Sequence, residues 1–228
     1  SCLVGSEMCI RDRYIDNIIM NSDNLVLKIS KSRKNILEIL EQYQNYEVSD
    51  YSNFSMHEID TMYTNNQLDM LVKHKNSEKK TYVKYNITTK PIRTSYIDNI
   101  IEDLYTIENV LTKGDNLILI LLEDPNDTIL SHIKHIYNRD GYFIVVHSIK
   151  RLQFNILQHE LVPNMEILDE TQKQDLKKKY NLKDFTQLPE INRFDPQALA
   201  MSMRPGDIGK IERNSVTSLN YDYYRYCV

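Results

Sequence analysis

Residues 195–213 read Asp195-Pro196-Gln197-Ala198-Leu199-Ala200-Met201-Ser202-Met203-Arg204-Pro205-Gly206-Asp207-Ile208-Gly209-Lys210-Ile211-Glu212-Arg213. Asp195 is a helix cap whose carboxylate accepts from free backbone N–H groups, and Pro196 suits the first helical position. The helix that follows is short and ends near Met203. Arg204-Pro205-Gly206-Asp207 is a turn with Pro and Gly in the type II positions. Residues 208–213 and 221–228 then read as strands joined by a polar loop, residues 214–220, so the chain closes on a β-hairpin.

Just before this stretch, residues 166–168 are short and extended. Asp169 with Gln172 three positions on forms a capping box, and a helix follows over residues 170–180. This C-terminal region is a small mixed α/β unit. At about 70 residues it is marginal alone, which suits something that docks onto a partner.

Farther upstream the texture differs. Residues 25–46 carry apolar positions at helical spacing and predict one or two amphipathic helices. Ser49-Asp50 and residues 55–58 are turn or cap candidates. Residues 68–73 and 81–87 read as strands around a polar turn, residues 95–111 as a helix, and Gly114-Asp115 as its break. Residues 117–122 are continuously apolar, which predicts a buried central strand. A helix over 127–138 and a buried strand over 142–147 complete the alternation, which implies an α/β layer structure. A boundary is expected near residues 152–157, with no Pro/Gly/Ser-rich linker to separate the two parts.

Composition excludes several classes. The 28 basic and 32 acidic side chains leave a net charge of −4, against bulk electrostatic gripping of nucleic acid. No stretch approaches the ~20 apolar residues of a membrane span. Cys2, Cys9 and Cys227 fit no metal-site spacing. Glycine is too scarce for a phosphate-cradling loop, and no dinucleotide fingerprint occurs. His132 and His135 lie one helical turn apart, without a carboxylate or cysteine at ligand spacing. Lys177-Lys178-Lys179 shares its helix with Asp169, Glu170 and Asp175 and reads as a solvated face. Tyr221, Tyr223, Tyr224 and Tyr226 alternate along a strand, which favours core plus protein interface over base stacking. No cofactor and no metal site is expected.

Residues 3–12, Leu-Val-Gly-Ser-Glu-Met-Cys-Ile-Arg-Asp, match one translated frame of a transposon-type sequencing adapter. Residues 1–13 are therefore read as an artefact. Met20 is then the expected start, and residues 1–19 are set aside as artefact or disordered.

An ordered series of short strings identifies the C-terminal part. They are His159-Glu160-Leu161-Val162-Pro163, Gln187-Leu188-Pro189-Glu190-Ile191, Asp195-Pro196, Arg204-Pro205-Gly206-Asp207 running into Lys210-Ile211, and Ser215-Val216-Thr217-Ser218 ending in Tyr224-Arg225. Order and spacing resemble the fifth subunit of eukaryotic-type DNA-directed RNA polymerases, whose archaeal counterpart has only the C-terminal part. Fainter similarity at residues 33–46, 80–87 and 154–156 extends the resemblance to residues 24–228.

The resemblance implies an α/β fold with two parts. Residues 20–154 would be a jaw domain, a nuclease-like mixed sheet with flanking helices. Residues 155–228 would be an α+β assembly domain ending in the hairpin. It implies a non-catalytic subunit that docks on the largest polymerase subunit and frames downstream duplex DNA, with no membrane partner. The implied partner-interface residues are His159, Glu160, Leu161, Val162, Pro163, Leu188, Pro189, Asp195, Pro196, Arg204, Gly206, Lys210, Ile211, Arg213, Tyr224 and Arg225. Asn126, Asp127 and Thr128 would lie near DNA, in a turn that is acidic where the family usually offers small and hydroxyl residues. An AT-rich codon bias points to a large DNA virus or a protist, hence to the nucleus, a cytoplasmic viral factory or a virion.

The alternative is a nuclease-like DNA-processing protein with a degenerate metal site. Restriction-type nucleases, which the jaw resembles in fold, place an Asp on one strand and an acid-x-Lys on the next. Asp69 and Lys84 fit the first acid and the lysine, but Tyr82 stands where the second acid belongs. One carboxylate does not make the clamp that metal-assisted hydrolysis needs.

Overall fold

The computed structural model of the protein describes residues 24–88, 92–215 and 219–228. The adapter-like segment, Met20, Cys2, Cys9 and residues 216–218 of the last string lie outside them. The fold is mixed α/β, with two mixed sheets and flanking helices.

The first sheet has order β1-β2-β3-β4-β5. Its strands are β1 (Tyr46–Glu47), β2 (Met70–His74), β3 (Lys80–Asn86), β4 (Asn116–Leu121) and β5 (Phe143–Ser148). The β1–β2 and β2–β3 pairs are antiparallel, whereas β3–β4 and β4–β5 are parallel. Side chains alternate across a strand, and the two faces bury separate cores. Val83, Ile118, Ile120, Phe143 and Val145 pack with helix α1 (24–42) and α2 (Met56–Thr64). Leu117, Leu119, Leu121, Ile144 and Val146 pack with α3 (Thr94–Ile101) and α4 (Asp127–Asp140). β4 and β5 are buried at every position because both their faces are covered. Each such side chain contributes about 1.5–3 kcal/mol of burial.

The second sheet has order β6-β8-β9-β7. It comprises β6 (Met165–Ile167), β7 (Glu190–Ile191), β8 (Ile208–Ser215) and β9 (Leu219–Cys227), with only β7–β9 parallel. α5 (Glu170–Lys179) covers one face through Leu176, against Leu168 and Ile208. α6 (Pro196–Ala200) lies on the other side, where Ala198 packs with Met165, Met203, Ile211 and Cys227.

Local signals behave as their chemistry dictates. Ser55 and Glu58 form a reciprocal capping box at α2. Gln172 Oε1 accepts from the Asp169 N–H at 2.9 Å, and Asp195 Oδ1 accepts from the Gln197 N–H at 3.0 Å. Gly206 takes φ 97°, the left-handed value a type II turn requires.

Residues 55–58 read only as a turn or cap, where helix α2 in fact begins, and four boundaries among others differ from the reading of the sequence. The first helix ends at residue 42, and Tyr46 instead pairs with His74 as a strand. The helix after residue 94 widens into a π-turn over Glu102–Ile107 and stops before Leu111. Leu104 O there accepts from both Val110 N and Leu111 N, so Leu111 is buried through the cap rather than the helix. α6 ends at Ala200 rather than near Met203. The hairpin strands reach Ser215 and Leu219, leaving a much shorter loop than residues 214–220. Among the described residues, no helix is long and apolar enough to cross a membrane.

The two sheets are joined by packing and by two arginines. Leu199 of α6 enters the first core, and Tyr43 beyond α1 packs on the second. Arg193 and Arg204 place their guanidinium groups 5.4 and 5.1 Å from the ring centre of Phe143, which is 2% exposed.

Candidate partner-docking surface

The implied interface residues do not form one patch. Glu160, Leu161, Pro163, Asp195, Ile211, Arg213 and Arg225 line a single open groove of about 650 Å³. Its walls are the loop before β6, the start of α6, and one face of the hairpin. The loop is shaped locally: His159 Nδ1 accepts from Leu161 N at 3.2 Å, and Val162 N donates to His159 O at 2.9 Å. Gln197 Nε2 donates to Pro163 O at 2.8 Å and ties the loop to α6.

This geometry thrusts Leu161 outward, 84% exposed. Leu161 thus presents an apolar side chain to solvent at the edge of the groove. Arg225 stacks 5.5 Å from the Tyr223 ring centre, and its Nε is buried without a hydrogen-bond partner among the described residues. A buried unpaired donor is costly and favours any acceptor brought into the groove.

The remaining residues face elsewhere. Lys210 and Tyr224 lie together on the α5 side of the hairpin, where Lys210 Nζ meets Asp222 at 3.3 Å and Tyr224 packs edge-on against Tyr180. Leu188 joins that same apolar cluster. Pro189 O accepts from Tyr226 N at 2.8 Å. Pro196 opens α6 on its exposed side. Arg204 and Gly206 form the turn, and Arg204 points inward to Gly114 O, Asp115 O and Asn116 Oδ1. Asn164, Gln197 and Glu212 also line the groove without having been singled out in the sequence, and they are joined by Ile191 of the second string and Tyr223 of the tyrosine cluster. Tyr223 and Arg225 share a strand face by their spacing of two, and that signal was available.

The nuclease-like positions do meet. Asp69 Oδ2 accepts from Tyr82 Oη and from Lys84 Nζ, both at 3.1 Å, and Asp69 Oδ1 accepts from Tyr85 N at 3.1 Å. Burial and the Asp69 carboxylate push the Tyr82 phenol up, so it stays a donor. Both carboxylate oxygens are thus engaged by protein donors. Among the described residues no group of three or more His, Cys, Asp or Glu side chains is placed to hold a metal ion.

Asn126, Asp127 and Thr128 begin α4, with Asn126 Oδ1 accepting from Ile129 N at 3.3 Å. Asn126 also borders a recess with Glu123 and Asp124 beyond the ends of β3 and β4.

Comparison with known proteins covers the groove and its surroundings. The family described as RNA polymerase Rpb5, C-terminal domain, matches residues 154–227. DNA-directed RNA polymerase subunit Rpo5 of Thermococcus onnurineus is 45% identical over 76 residues, 33% of this chain and 92% of that protein. This chain belongs to the Rpb5/Rpo5 family of RNA polymerase subunits. Rpo5 of Nitrosopumilus maritimus is 42% identical over 79 residues, 35% of this chain and 94% of that protein. Rpo5 of Methanococcoides burtonii is 40% identical over 76 residues, 33% of this chain and 96% of that protein. All seven residues that line the groove from the implied interface lie inside the Rpb5 match.

Proposed function

We propose that this Rpb5-family chain is a non-catalytic structural subunit of a multisubunit DNA-directed RNA polymerase. Residues 155–228 act as an assembly domain that docks on the largest subunit, and residues 20–154 act as a jaw that frames downstream duplex DNA. The observation that carries this reading is the groove itself: seven implied interface residues converge on it around an outward-pointing Leu161. A leucine anchor, a buried free arginine donor and a mixed-charge rim are the makings of a protein interface. The jaw's contribution to DNA is positional. The start of α4 carries Asp127 beside Asp124, which repels phosphate, so DNA framing is indirect. We place the subunit in the nucleus, or in a viral factory or virion for a viral polymerase.

The test is photo-crosslinking from position 161 in the purified polymerase. A benzophenone side chain there should attach to the largest subunit. Crosslinks to other subunits alone, or none above background, contradict the docking reading.

A further inference from the structure

A second cavity, of about 330 Å³, shares no lining residue with the groove. Ile39 of α1, Leu152, Ile156, and Pro196 and Leu199 of α6 give it apolar walls. Its volume lies near the lower end of the ~300–1,000 Å³ range of ligand sites and suits one large side chain.

Three further features specify the occupant. His147, 6% exposed, lines the cavity, and its imidazole makes no hydrogen bond to the described residues. Buried polar groups are ordinarily paired. A neutral imidazole has one donor and one acceptor nitrogen; a phenol hydroxyl can pair with whichever of them faces the cavity, whereas an indole N–H pairs only with the acceptor and a phenyl ring with neither. The rim is basic: Lys150 is exposed with no ion pair among the described residues, and Arg151 meets Asp124 at 2.9 Å. Phe154, 53% exposed, extends the apolar surface beyond the mouth. That shelf suits the flanking residues of a polypeptide rather than a free small molecule.

We propose that this cavity docks a tyrosine side chain presented by an acidic segment of another protein. The ring fills the apolar chamber, the hydroxyl pairs with His147, and neighbouring carboxylates face Lys150 and Arg151. This surface is additional to the Leu161 groove and stands independently of it.

Binding of N-acetylated, C-amidated tripeptides to the full chain tests the proposal, read by NMR at the His147 imidazole. Glu-Tyr-Glu should shift His147 saturably, Glu-Phe-Glu should bind about fivefold more weakly, and Lys-Tyr-Lys about tenfold more weakly at low salt. Lys150→Glu, on the surface, should weaken Glu-Tyr-Glu about fivefold with an unchanged unfolding midpoint. No saturable His147 shift by Glu-Tyr-Glu up to about 10 mM, a limit that reaches well into weak binding, overturns the proposal. Equal binding of the three peptides overturns it as well.

Discussion

Replacing Arg204 by methionine tests whether that residue serves a partner or the chain itself. Its Nη2 lies 2.6 Å from Gly114 O, 3.0 Å from Asp115 O and 2.8 Å from Asn116 Oδ1, and its guanidinium lies 5.1 Å from the Phe143 ring centre. One Nη2 carries two hydrogens, so at most two of the three bonds are well formed at once. At about 1 kcal/mol each for partly solvated charge-assisted bonds, they contribute about 2 kcal/mol. The ring contact adds about 0.5–1 kcal/mol. Methionine keeps the apolar stem over Phe143 but loses the rest, so Arg204→Met should destabilise the isolated chain by about 2–3 kcal/mol. With a urea m-value of about 2–3 kcal/mol/M, the midpoint should fall by about 1 M. Arg204→Met and Asn116→Ala should couple by about 1 kcal/mol in a double-mutant cycle. A midpoint within about 0.2 M of wild type, with additive single effects, would refute the reasoning and return Arg204 to a purely intermolecular role.

Three further outcomes follow from the same geometry. Burial and the positive charge of Arg151 push His147 down to about 4. Its folded pKa lies below the ordinary 6.5, so the unfolded chain takes up the proton first, and about 3 kcal/mol of stability is lost as pH falls from 6.5 to 4; His147→Phe should flatten that slope in pH-dependent urea unfolding. Asp69→Ala frees Tyr82, Lys84 and Tyr85 N and should cost about 2 kcal/mol, while neither protein cleaves duplex DNA with Mg²⁺ or Mn²⁺; cleavage abolished by the substitution would revive the nuclease alternative. A Cβ at Gly209 would sit 2.9 Å from Met165 Sδ and 3.3 Å from Met203 Cε, so Gly209→Ala should cost about 1–2 kcal/mol and lower Tm by about 3–6 °C, measured by thermal unfolding.

The elements that carried their own punctuation were legible. Asp195-Pro196, the Pro205-Gly206 turn and the Asp169/Gln172 box are local devices whose side chains reach only their neighbours, whereas residues 55–58 read as a turn or cap without the helix α2 that follows them. The apolar run at residues 117–122 has strand length and fits a strand covered on both faces. β1 and β7 were not legible, since two-residue strands have no period and exist only because β2 and β9 offer an edge. The π-turn after Ile101 escaped for a different reason: Leu111 continues the helical apolar spacing but is buried through the cap on Leu104 O.

The site divides in the same way. Asp69 and Lys84, read as the first acid and the lysine of a nuclease-like motif, do meet: Asp69 lies one residue before β2, whose Met70 pairs with Val83 next to Lys84. The strings from His159 to Arg225 located the groove's components, but not that Lys210 and Tyr224 face away from it. Nor did they reveal that Arg204 turns inward, a contact across 88 to 90 positions that no local pattern encodes. Gln197 and Asn164, which complete the groove, carry no signal beyond being polar.

Docking through the Leu161 groove is tested most directly by co-purification. The chain is co-expressed with a tagged largest polymerase subunit, as wild type and as Leu161→Asp. Leu161 is 84% exposed, so the substitution should leave the isolated chain's stability within about 0.5 kcal/mol. Burying a carboxylate in place of a leucine anchor should weaken docking more than about tenfold. The wild-type chain should be recovered with the tagged subunit and the variant lost. Equal recovery of both, or a wild-type chain found only as free monomer, would contradict docking through this groove.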